Sequence, residues 1–272
     1  MFHNLARLLR YRGLIQSLVA RELKARYRGS VLGFFWSFVN PLLLLLVYTF
    51  VFTVVMPSAH DKKIEPYALF MFCGILPWTW FSASLNESAG VLISGGNLIK
   101  KVLFPAEILP IVTVLANMIH FFFGLVILAG FLVYYQRPQT AGELALFPVV
   151  VLVQLILTLG FALLLSALTV HFRDIRDLLS NLLTLWFFAT PIIYPWFQFE
   201  DPASPGKYLW QARLLKLNPF THLAISYQEI LFFEGPVGHL PYLILLGGIS
   251  VVWFLFGYFV FDRLRDTFAE EV

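Results

Sequence analysis

The sequence has little charge, a single cysteine and no recognisable nucleotide or metal motif. Only 13% of its 272 residues are charged, whereas 59% are hydrophobic. An average soluble domain has about 25% charged residues, so a soluble protein of this length could not cover so much apolar surface. Cys73 has no second cysteine with which to form an intrachain disulfide. This composition favours a protein that lies within a membrane.

The missing motifs also limit the chemistry that the chain can carry out. No glycine-rich phosphate loop followed by Lys-Ser or Lys-Thr is present, and no Cys/His spacing suits a metal ion. We therefore expect that the chain is not an enzyme, binds no cofactor itself and has no nucleic-acid partner. Energy for any transport would come from a partner or from an ion gradient.

Six long uncharged runs predict six transmembrane helices. A helix needs about 20 apolar residues to cross the hydrocarbon core, and membrane-barrel strands would be about half as long and strictly alternating. The predicted fold class is an all-α integral membrane protein with a single transmembrane domain over residues 1–272. The runs are 31–56, 67–86, 108–135, 144–170, 178–199 and 240–261.

The positions of lysine and arginine predict the orientation. If residues 1–30 are cytoplasmic, 13 of the 19 Lys and Arg residues fall in inner segments and 6 in outer ones. Basic residues concentrate on the cytoplasmic side of membrane proteins. We expect a multi-pass membrane protein with both termini in the cytoplasm, the C-terminal tail being residues 262–272.

Residues 14–28 combine a helical apolar period with many basic residues, which predicts an amphipathic helix at the membrane interface. The simpler alternative is a basic anchor that only fixes topology. The remaining possibility is a helix that contacts both lipid headgroups and a cytoplasmic partner. The polar residues assigned to this interface helix are Arg21, Lys24, Arg26, Tyr27 and Arg28.

Three further segments are more than plain connections. The inner segments 94–105 and 171–177 are short and charged, which suits either solvated turns or a docking surface for a cytoplasmic motor. The outer segment 200–239 is rich in aromatic residues and is interrupted by prolines. A disordered loop would be less apolar, so short helices at the outer interface are expected, where they could close an exit.

Several motifs resemble those of the membrane subunits of type-2 ATP-binding-cassette exporters that secrete bacterial surface polysaccharides. The motifs span nearly the whole chain, and their order and spacing make the set specific although none is specific alone. They are RELKARYRGSVLG at 21–33, Trp36, Asn40-Pro41, GILPW at 74–78, LIKKV at 98–102, Phe104-Pro105, FRDI at 172–175, TPIIY at 190–194 and Asn218-Pro219.

The resemblance implies a second copy of the chain and two separate ATPase subunits that bind ATP and magnesium. It implies that the two inner segments couple to those ATPases, and it makes a lipid-linked polysaccharide the expected substrate, O-antigen first and capsule or teichoic acid next. One departure is the stretch Tyr227-Gln228-Glu229, where the family often has an arginine. The residues expected to couple to the ATPase are Leu98, Lys100, Lys101, Phe104, Pro105, Phe172, Arg173, Asp174 and Arg176.

A polysaccharide conduit would use aromatic side chains, because the C–H faces of sugar rings stack on them. Most of the aromatic residues are expected at the membrane interface or in the core. Trp36, Tyr194 and Trp196 flank prolines or polar residues in spans one and five, and Pro41 after Asn40 frees backbone groups in span one. We therefore assign Trp36, Asn40, Tyr194 and Trp196 to the substrate channel.

Three alternatives stay open. An ATP-driven exporter of small hydrophobic molecules would need a closed pocket and no aromatic conduit. An ion-coupled carrier would need ionisable groups in the membrane, and Glu87, Glu107 and His120 are too scattered for an efficient proton relay. A membrane glycosyl-transfer enzyme is disfavoured because no acidic cluster lies beside a cytoplasmic face.

Overall fold

The computed structural model describes residues 11–55, 64–101, 104–136, 141–199, 209–233, 235 and 237–271, and this part of the chain is helical, without strands. This agrees with the predicted all-α fold. The α-helices are α1 (Arg12–Arg26), α2 (Trp36–Phe50), α3 (Tyr67–Ser94), α4 (Gly96–Lys101), α5 (Ile108–Tyr134), α6 (Ala141–Leu144), α7 (Phe147–His171), α8 (Ile175–Phe188), α9 (Leu209–Leu217), α10 (Pro219–Leu231), α11 (Leu240–Leu264) and α12 (Phe268–Glu271).

Five helical stretches in the described residues are long and apolar enough to cross a membrane. Each overlaps one of the predicted spans, since uncharged runs of this length can satisfy their backbone in lipid only as helices. Helix α2 continues through a π-helical turn, Val51–Val55. The five stretches are Trp36–Val55, Tyr67–Ser94, Ile108–Tyr134, Gly142–His171 and Leu240–Thr267.

The predicted fifth span, 178–199, differs from the others. Its helix α8 starts earlier, at Ile175, and ends at Phe188 after 14 residues, which is about 21 Å of helix and less than a bilayer core. Pro191 and Pro195 follow, and proline cannot continue the hydrogen-bond ladder of a helix. The chain nevertheless reaches the start of α3, where the Tyr67 hydroxyl donates to the Ile193 carbonyl. The count of six crossings stays a prediction.

Helix α3 forms the centre of the bundle, because it packs against α5 and α7 along most of its length. Its first half is buried almost completely, from Ala68 to Trp78. Helix α11 packs against α7, and their closest approach is at Gly160 and Gly257, where a Cβ on Gly257 would meet the Gly160 carbonyl. Small residues at such crossings let helix backbones approach closely in a membrane.

One end of the bundle gathers the predicted inner segments. A cluster around Leu92, Leu163 and Phe268 joins the ends of α3 and α7 to the C-terminal helix α12, with Ile99 and Phe104 packed against it. A second cluster joins Leu18 of α1 to the beginning of α5. Helix α1, helix α4, the turn after α7 and the C-terminal segment therefore share this end, which we call the α1 end.

The opposite end contains the described part of the predicted outer segment. Helices α9 and α10 lie there, as the apolar composition of 200–239 suggests. Helix α9 is largely exposed, whereas α10 is buried against α3, α7 and α11. Residues 200–208, 234 and 236 of that segment lie outside the described residues.

Candidate functional site

A cavity of about 390 Å³ lies near the α1 end, between helices α1, α2, α3 and α5. This volume falls within the range of about 300–1,000 Å³ that is typical of small-molecule sites. Four of the residues predicted as functional from the sequence line it. They are Arg26 and Tyr27 from the interface segment, and Trp36 and Asn40 from the predicted channel.

A triangle of hydrogen bonds forms one wall of the cavity. The Arg26 guanidinium donates to the Glu87 carboxylate and, over 2.9 Å, to Asn117 Oδ1. Asn117 Nδ2 donates to the same Glu87 oxygen over 2.9 Å. Glu22, one turn before Arg26, lies 3.6 Å from its Nε. The triangle ties α1 to α3 and α5, and it pairs Glu87 with a cation rather than leaving it as part of a proton relay.

A second group of polar side chains continues this wall. The Tyr27 hydroxyl accepts from Ser37 Oγ over 3.0 Å and lies 3.4 Å from His120 Nδ1. Trp36 Nε1 donates to Ser30 Oγ over 2.9 Å, which fixes the plane of the indole ring. Asn40 is exposed one turn further along α2, at the rim of the cavity.

The other two predicted channel residues lie at the opposite end. Tyr194 lines a largely apolar groove of about 810 Å³ between α7, α8, α9 and α10, together with Trp186 and Trp210. Trp196 packs against His239 with ring centroids 5.7 Å apart. The structure therefore does not bring the four channel residues together within one protomer.

The turn that follows α8 is held by two amide side chains. Asn218 accepts from Trp186 Nε1 and from the Phe220 backbone, and it donates to the Ala189 carbonyl and Thr190 Oγ1. Gln228 Nε2 donates to the Pro191 carbonyl over 2.9 Å. A Cβ on Gly74 of α3 would lie 3.2–3.4 Å from Ile192 and Gln228, so this glycine permits the close approach.

Burial shifts two ionisable groups of α10. It lowers the pKa of His222 from its ordinary 6.5; the nearby Lys216 charge acts in the same direction, and the hydrogen bond to the Lys216 carbonyl opposes it. Burial raises the pKa of Glu229, whereas hydrogen bonds from the backbone of Gly238 and His239 oppose that shift. These groups connect α10 to the start of α11.

The predicted coupling residues at the α1 end are mostly exposed. Phe172 exposes 63% of its surface, and Arg173, Asp174 and Arg176 beside it are exposed as well. On α4, Leu98 and Lys100 are exposed, whereas the side chain of Lys101 lies outside the described residues. Phe104 and Pro105 are half-buried, and Phe104 packs into both clusters of this end, so its contacts here are structural. We call the exposed set at 98–100 and 172–176 the docking surface.

The basic residues of α1 and the turn after it divide into two groups. Arg21, Lys24 and Arg28 are exposed, as a helix at a charged interface requires, whereas Arg26 is partly buried in the triangle with Glu87. Among the described residues, no group of three or more His, Cys, Asp or Glu side chains is placed to hold a metal ion.

Comparison with known proteins identifies this arrangement. The sequence model of ABC-2 type transporters matches residues 13–232, which include both inner segments and most of the outer one. The chain belongs to the ABC-2 type transporter family. It is accordingly a multi-pass membrane permease subunit of an ATP-driven exporter, not itself an enzyme, and its ATPase is a separate subunit.

Curated members of the ABC-2 family cover nearly the same length as this permease. The chain is 43% identical over 273 residues to the O-antigen export system permease protein RfbA of Myxococcus xanthus, with 100% of both chains covered. It is 31% and 30% identical to two proteins of the same name from Klebsiella pneumoniae, with 94% of each chain covered.

Sequence reasoning did not identify the roles of Glu87, Asn117 and Gln228 in this permease. In the sequence, Glu87 stands out only as an ionisable group in the membrane, and Gln228 only as a departure from the family pattern. The available signal was a polar side chain inside an apolar run, which must find a partner when it is buried. The sequence could not show which partner, because the contacts join residues 30 to 91 positions apart.

Proposed function

We propose that this ABC-2 permease exports a lipid-linked polysaccharide across the bacterial inner membrane, with both termini in the cytoplasm. The observation that carries the proposal is the full-length, 43% identical relative named as an O-antigen export permease. An O-antigen type of glycan is therefore the first candidate, and capsule or teichoic acid follows. A polymer much longer than the bilayer would pass in steps driven by repeated ATP hydrolysis.

The docking surface supports the position of the ATPase partners. Exposed Phe172 stands beside three exposed charged side chains, and α4 adds exposed Leu98 and Lys100. An aromatic side chain ringed by charges is typical of a protein-binding site. We propose that two ATPase subunits, which bind ATP and magnesium, contact this surface on two copies of the permease.

The polar residues exposed on α2 and α8 support a second copy. Asn40 and Thr53 are exposed along span one, and Ser180, Asn181 and Thr184 are exposed along α8. Polar side chains within a span face protein or water rather than lipid. By contrast, the strongly exposed residues in the middle of α11, including Ile244, Val252 and Phe259, are apolar. We therefore propose that α2 and α8 face the other copy and the conduit, and that α11 faces lipid.

Reconstitution tests the function directly. The permease and its ATPase would be purified together in nanodiscs, and ATP hydrolysis would be measured with and without the lipid-linked glycan of the source organism. Stimulation by the glycan is expected. Absence of a complex, or a complex that this glycan does not stimulate, would contradict the proposal.

A coupling variant sharpens this test. Arg173→Ala should lower glycan-stimulated hydrolysis while membrane insertion is retained, because its side chain is exposed on the docking surface and packs into no described core cluster. Arg213→Ala is the matched control, since Arg213 is also exposed but lies on α9 at the opposite end. Loss of insertion in Arg173→Ala would assign this arginine to topology instead.

The apolar groove at Tyr194 is the observation that favours an alternative function, the export of small hydrophobic molecules. Its volume of about 810 Å³ and its lining of leucine and tryptophan would also suit a small hydrophobic molecule. In the same nanodiscs, stimulation by hydrophobic dyes but not by the lipid-linked glycan would select that alternative.

A further inference from the structure

The cavity at the α1 end has a charge distribution that disfavours an anion. Among the described residues that line it, Arg26 has the only lysine or arginine side chain. Its guanidinium already binds Glu87 and Asn117, and Glu22 lies on its other side. The one guanidinium in the lining is therefore already paired with the Glu87 carboxylate, so little positive charge is left to hold a phosphate.

The remaining groups suit a neutral molecule that both donates and accepts hydrogen bonds. Asn40 presents an amide at the rim, while Asn117 and Tyr27 already bond within the wall and offer a ligand their remaining N–H or O–H and oxygen lone pairs. Pro41 has no N–H, so the Ser37 carbonyl, one turn earlier in α2, has no helical donor. This carbonyl adds a backbone acceptor to the wall of the cavity. Sugar hydroxyls can satisfy donors and acceptors of this kind at the same time.

An aromatic surface adjoins these polar groups. Trp36 lines the cavity, and its bond to Ser30 holds the ring in one orientation. Trp80 lies deeper, stacked on Phe121 with centroids 5.1 Å apart. The C–H face of a pyranose could stack on this fixed indole, while the hydroxyl groups at the edge of the sugar bond to the neighbouring amide and hydroxyl groups.

We infer that this cavity is a binding subsite for an uncharged sugar residue of the exported glycan. The inference rests on the proposed function for its substrate class, and it names a place in each protomer where that substrate is held. The cavity lies between the end of α1 and the middle of α3 and α5, so a sugar bound here would be held within the spans, where α1 packs against them. Arg26 acts through its bonds to Glu87 and Asn117 as a positioning residue.

Two variants and a matched control test the subsite in nanodiscs that contain the permease and its ATPase. Asn40→Ala and Trp36→Ala should each raise the KM for the lipid-linked glycan by about tenfold, the loss expected for one hydrogen-bonded or stacked contact. Trp36→Phe, which keeps an aromatic face, should recover part of that loss. Gln16→Ala removes an exposed amide from α1 outside the cavity and should leave the KM unchanged.

A direct binding measurement separates sugar from anion. The neutral oligosaccharide released from the lipid-linked glycan by mild acid should show saturation-transfer NMR signals with the wild-type complex, and these should weaken in Asn40→Ala. Inorganic phosphate should not compete. Competition by phosphate, or by phosphatidylglycerol added to the nanodiscs, would overturn the inference in favour of an anion or headgroup site.

The two proposals fail separately. If the glycan stimulates the wild-type complex but the KM and the NMR signals are the same in Asn40→Ala and Trp36→Ala, the subsite is refuted and the export function stands. If the glycan does not stimulate the wild-type complex, the export function is refuted. The oligosaccharide titration then still decides for or against sugar binding in the cavity.

Discussion

Asn218 connects the end of α8 to the beginning of α10 through four hydrogen bonds. Its side chain caps α10, and it also holds the Ala189 carbonyl, the Thr190 hydroxyl and the Trp186 ring. Loss of an N-cap costs about 0.5–2 kcal/mol, and each further hydrogen bond contributes about 0.5–1.5 kcal/mol. Asn218→Ala should therefore destabilise the protein by about 2–4 kcal/mol, measured as a lower unfolding midpoint in detergent.

Asn97→Ala is the control for this prediction. Asn97 is an exposed asparagine on α4, so its replacement should change stability by no more than about 0.5 kcal/mol. Asn218→Asp keeps the oxygen that caps α10 but loses the two donated bonds, and it should be intermediate. Equal midpoints for Asn218→Ala and Asn97→Ala would contradict the role assigned to Asn218.

His222 gives a pH dependence whose sign follows from its burial. Because burial lowers the pKa of His222 below 6.5, the folded protein holds this imidazole neutral while the unfolded chain can take up a proton. The contribution is fully present above pH 6.5 and is lost as the pH falls below it. Unfolding midpoints should therefore drop less steeply on acidification in His222→Gln than in the wild type. Identical slopes would exclude His222 as a source of acid sensitivity.

Single residues were predictable from the sequence when their chemistry was local. Trp36, Asn40, Arg26 and Tyr27 were singled out from neighbouring motifs, and the structure places them around one cavity. The partners Glu87 and Asn117 were not assigned, because a hydrogen bond across three helices depends on how those helices pack. The uses of Trp36 and Asn40 as channel residues remain predictions.

Most of the long helices could be predicted from apolar runs in the sequence. The exception is the run in which prolines end the helix early. Five predicted spans correspond to long helices, because length and lack of charge are sufficient signals in a membrane. The predicted fifth run, 178–199, includes Pro191 and Pro195, whereas the helix ends before them at Phe188. An apolar run alone does not distinguish a spanning helix from a shorter helix followed by a packed turn. Only the contacts of Asn218 and Gln228 show where that turn lies.

Helices α7 and α11 pack against each other at two glycines. Replacing a glycine of α11 by alanine should therefore lower the stability of the protein at this contact, but not at an open position of the same helix. Gly257→Ala would place a methyl group against the Gly160 carbonyl, and overpacking of this kind costs about 1–3 kcal/mol. A Cβ on Gly248, also on α11, would meet no neighbouring side chain or helix within 4 Å. Gly248→Ala should be neutral or stabilise the helix by about 0.5–1 kcal/mol. Unfolding midpoints of the two variants in detergent would show the contrast.

That measurement would show whether the α7–α11 contact requires glycine or whether the two helices can move apart. If both alanine variants are equally stable, the helices can move apart at no cost and the glycines are not required there. Gly160→Ala provides an independent check, because its methyl group would lie 2.9 Å from the Phe254 Cα. It should destabilise the protein in the same way as Gly257→Ala.

At the scale of the whole molecule, the bundle has surfaces of two kinds within the membrane. Helix α2 has little of its surface buried within the protomer, and it exposes Asn40 among its apolar residues. Helix α11 exposes a band of apolar residues that includes Ile244 and Leu245. Exposure alone therefore does not mark an interface. The polar residues do, because lipid cannot satisfy them.

Cysteine cross-linking in native membranes would decide between these surfaces. Cysteines would be placed singly along the exposed face of α2, and an oxidant would be added. At least one position should give a disulfide-linked dimer, since a disulfide requires Cα atoms about 4.4–6.8 Å apart and a two-fold axis brings equivalent residues together. The positions are Leu42, Leu43, Leu46, Val47 and Phe50.

The controls use residues of matched exposure and chemistry. Leu245→Cys on α11 is 62% exposed, comparable to Val47 at 55%, and it should remain monomeric if that face contacts lipid. Leu45→Cys faces the protomer interior and should not react. The wild type is a negative control that should not cross-link, because its only cysteine, Cys73, is buried. Cross-linking through Leu245 but at none of the α2 positions would place the second copy on α11 and remove α2 from the conduit, since a helix that faces lipid cannot line the path of a polymer.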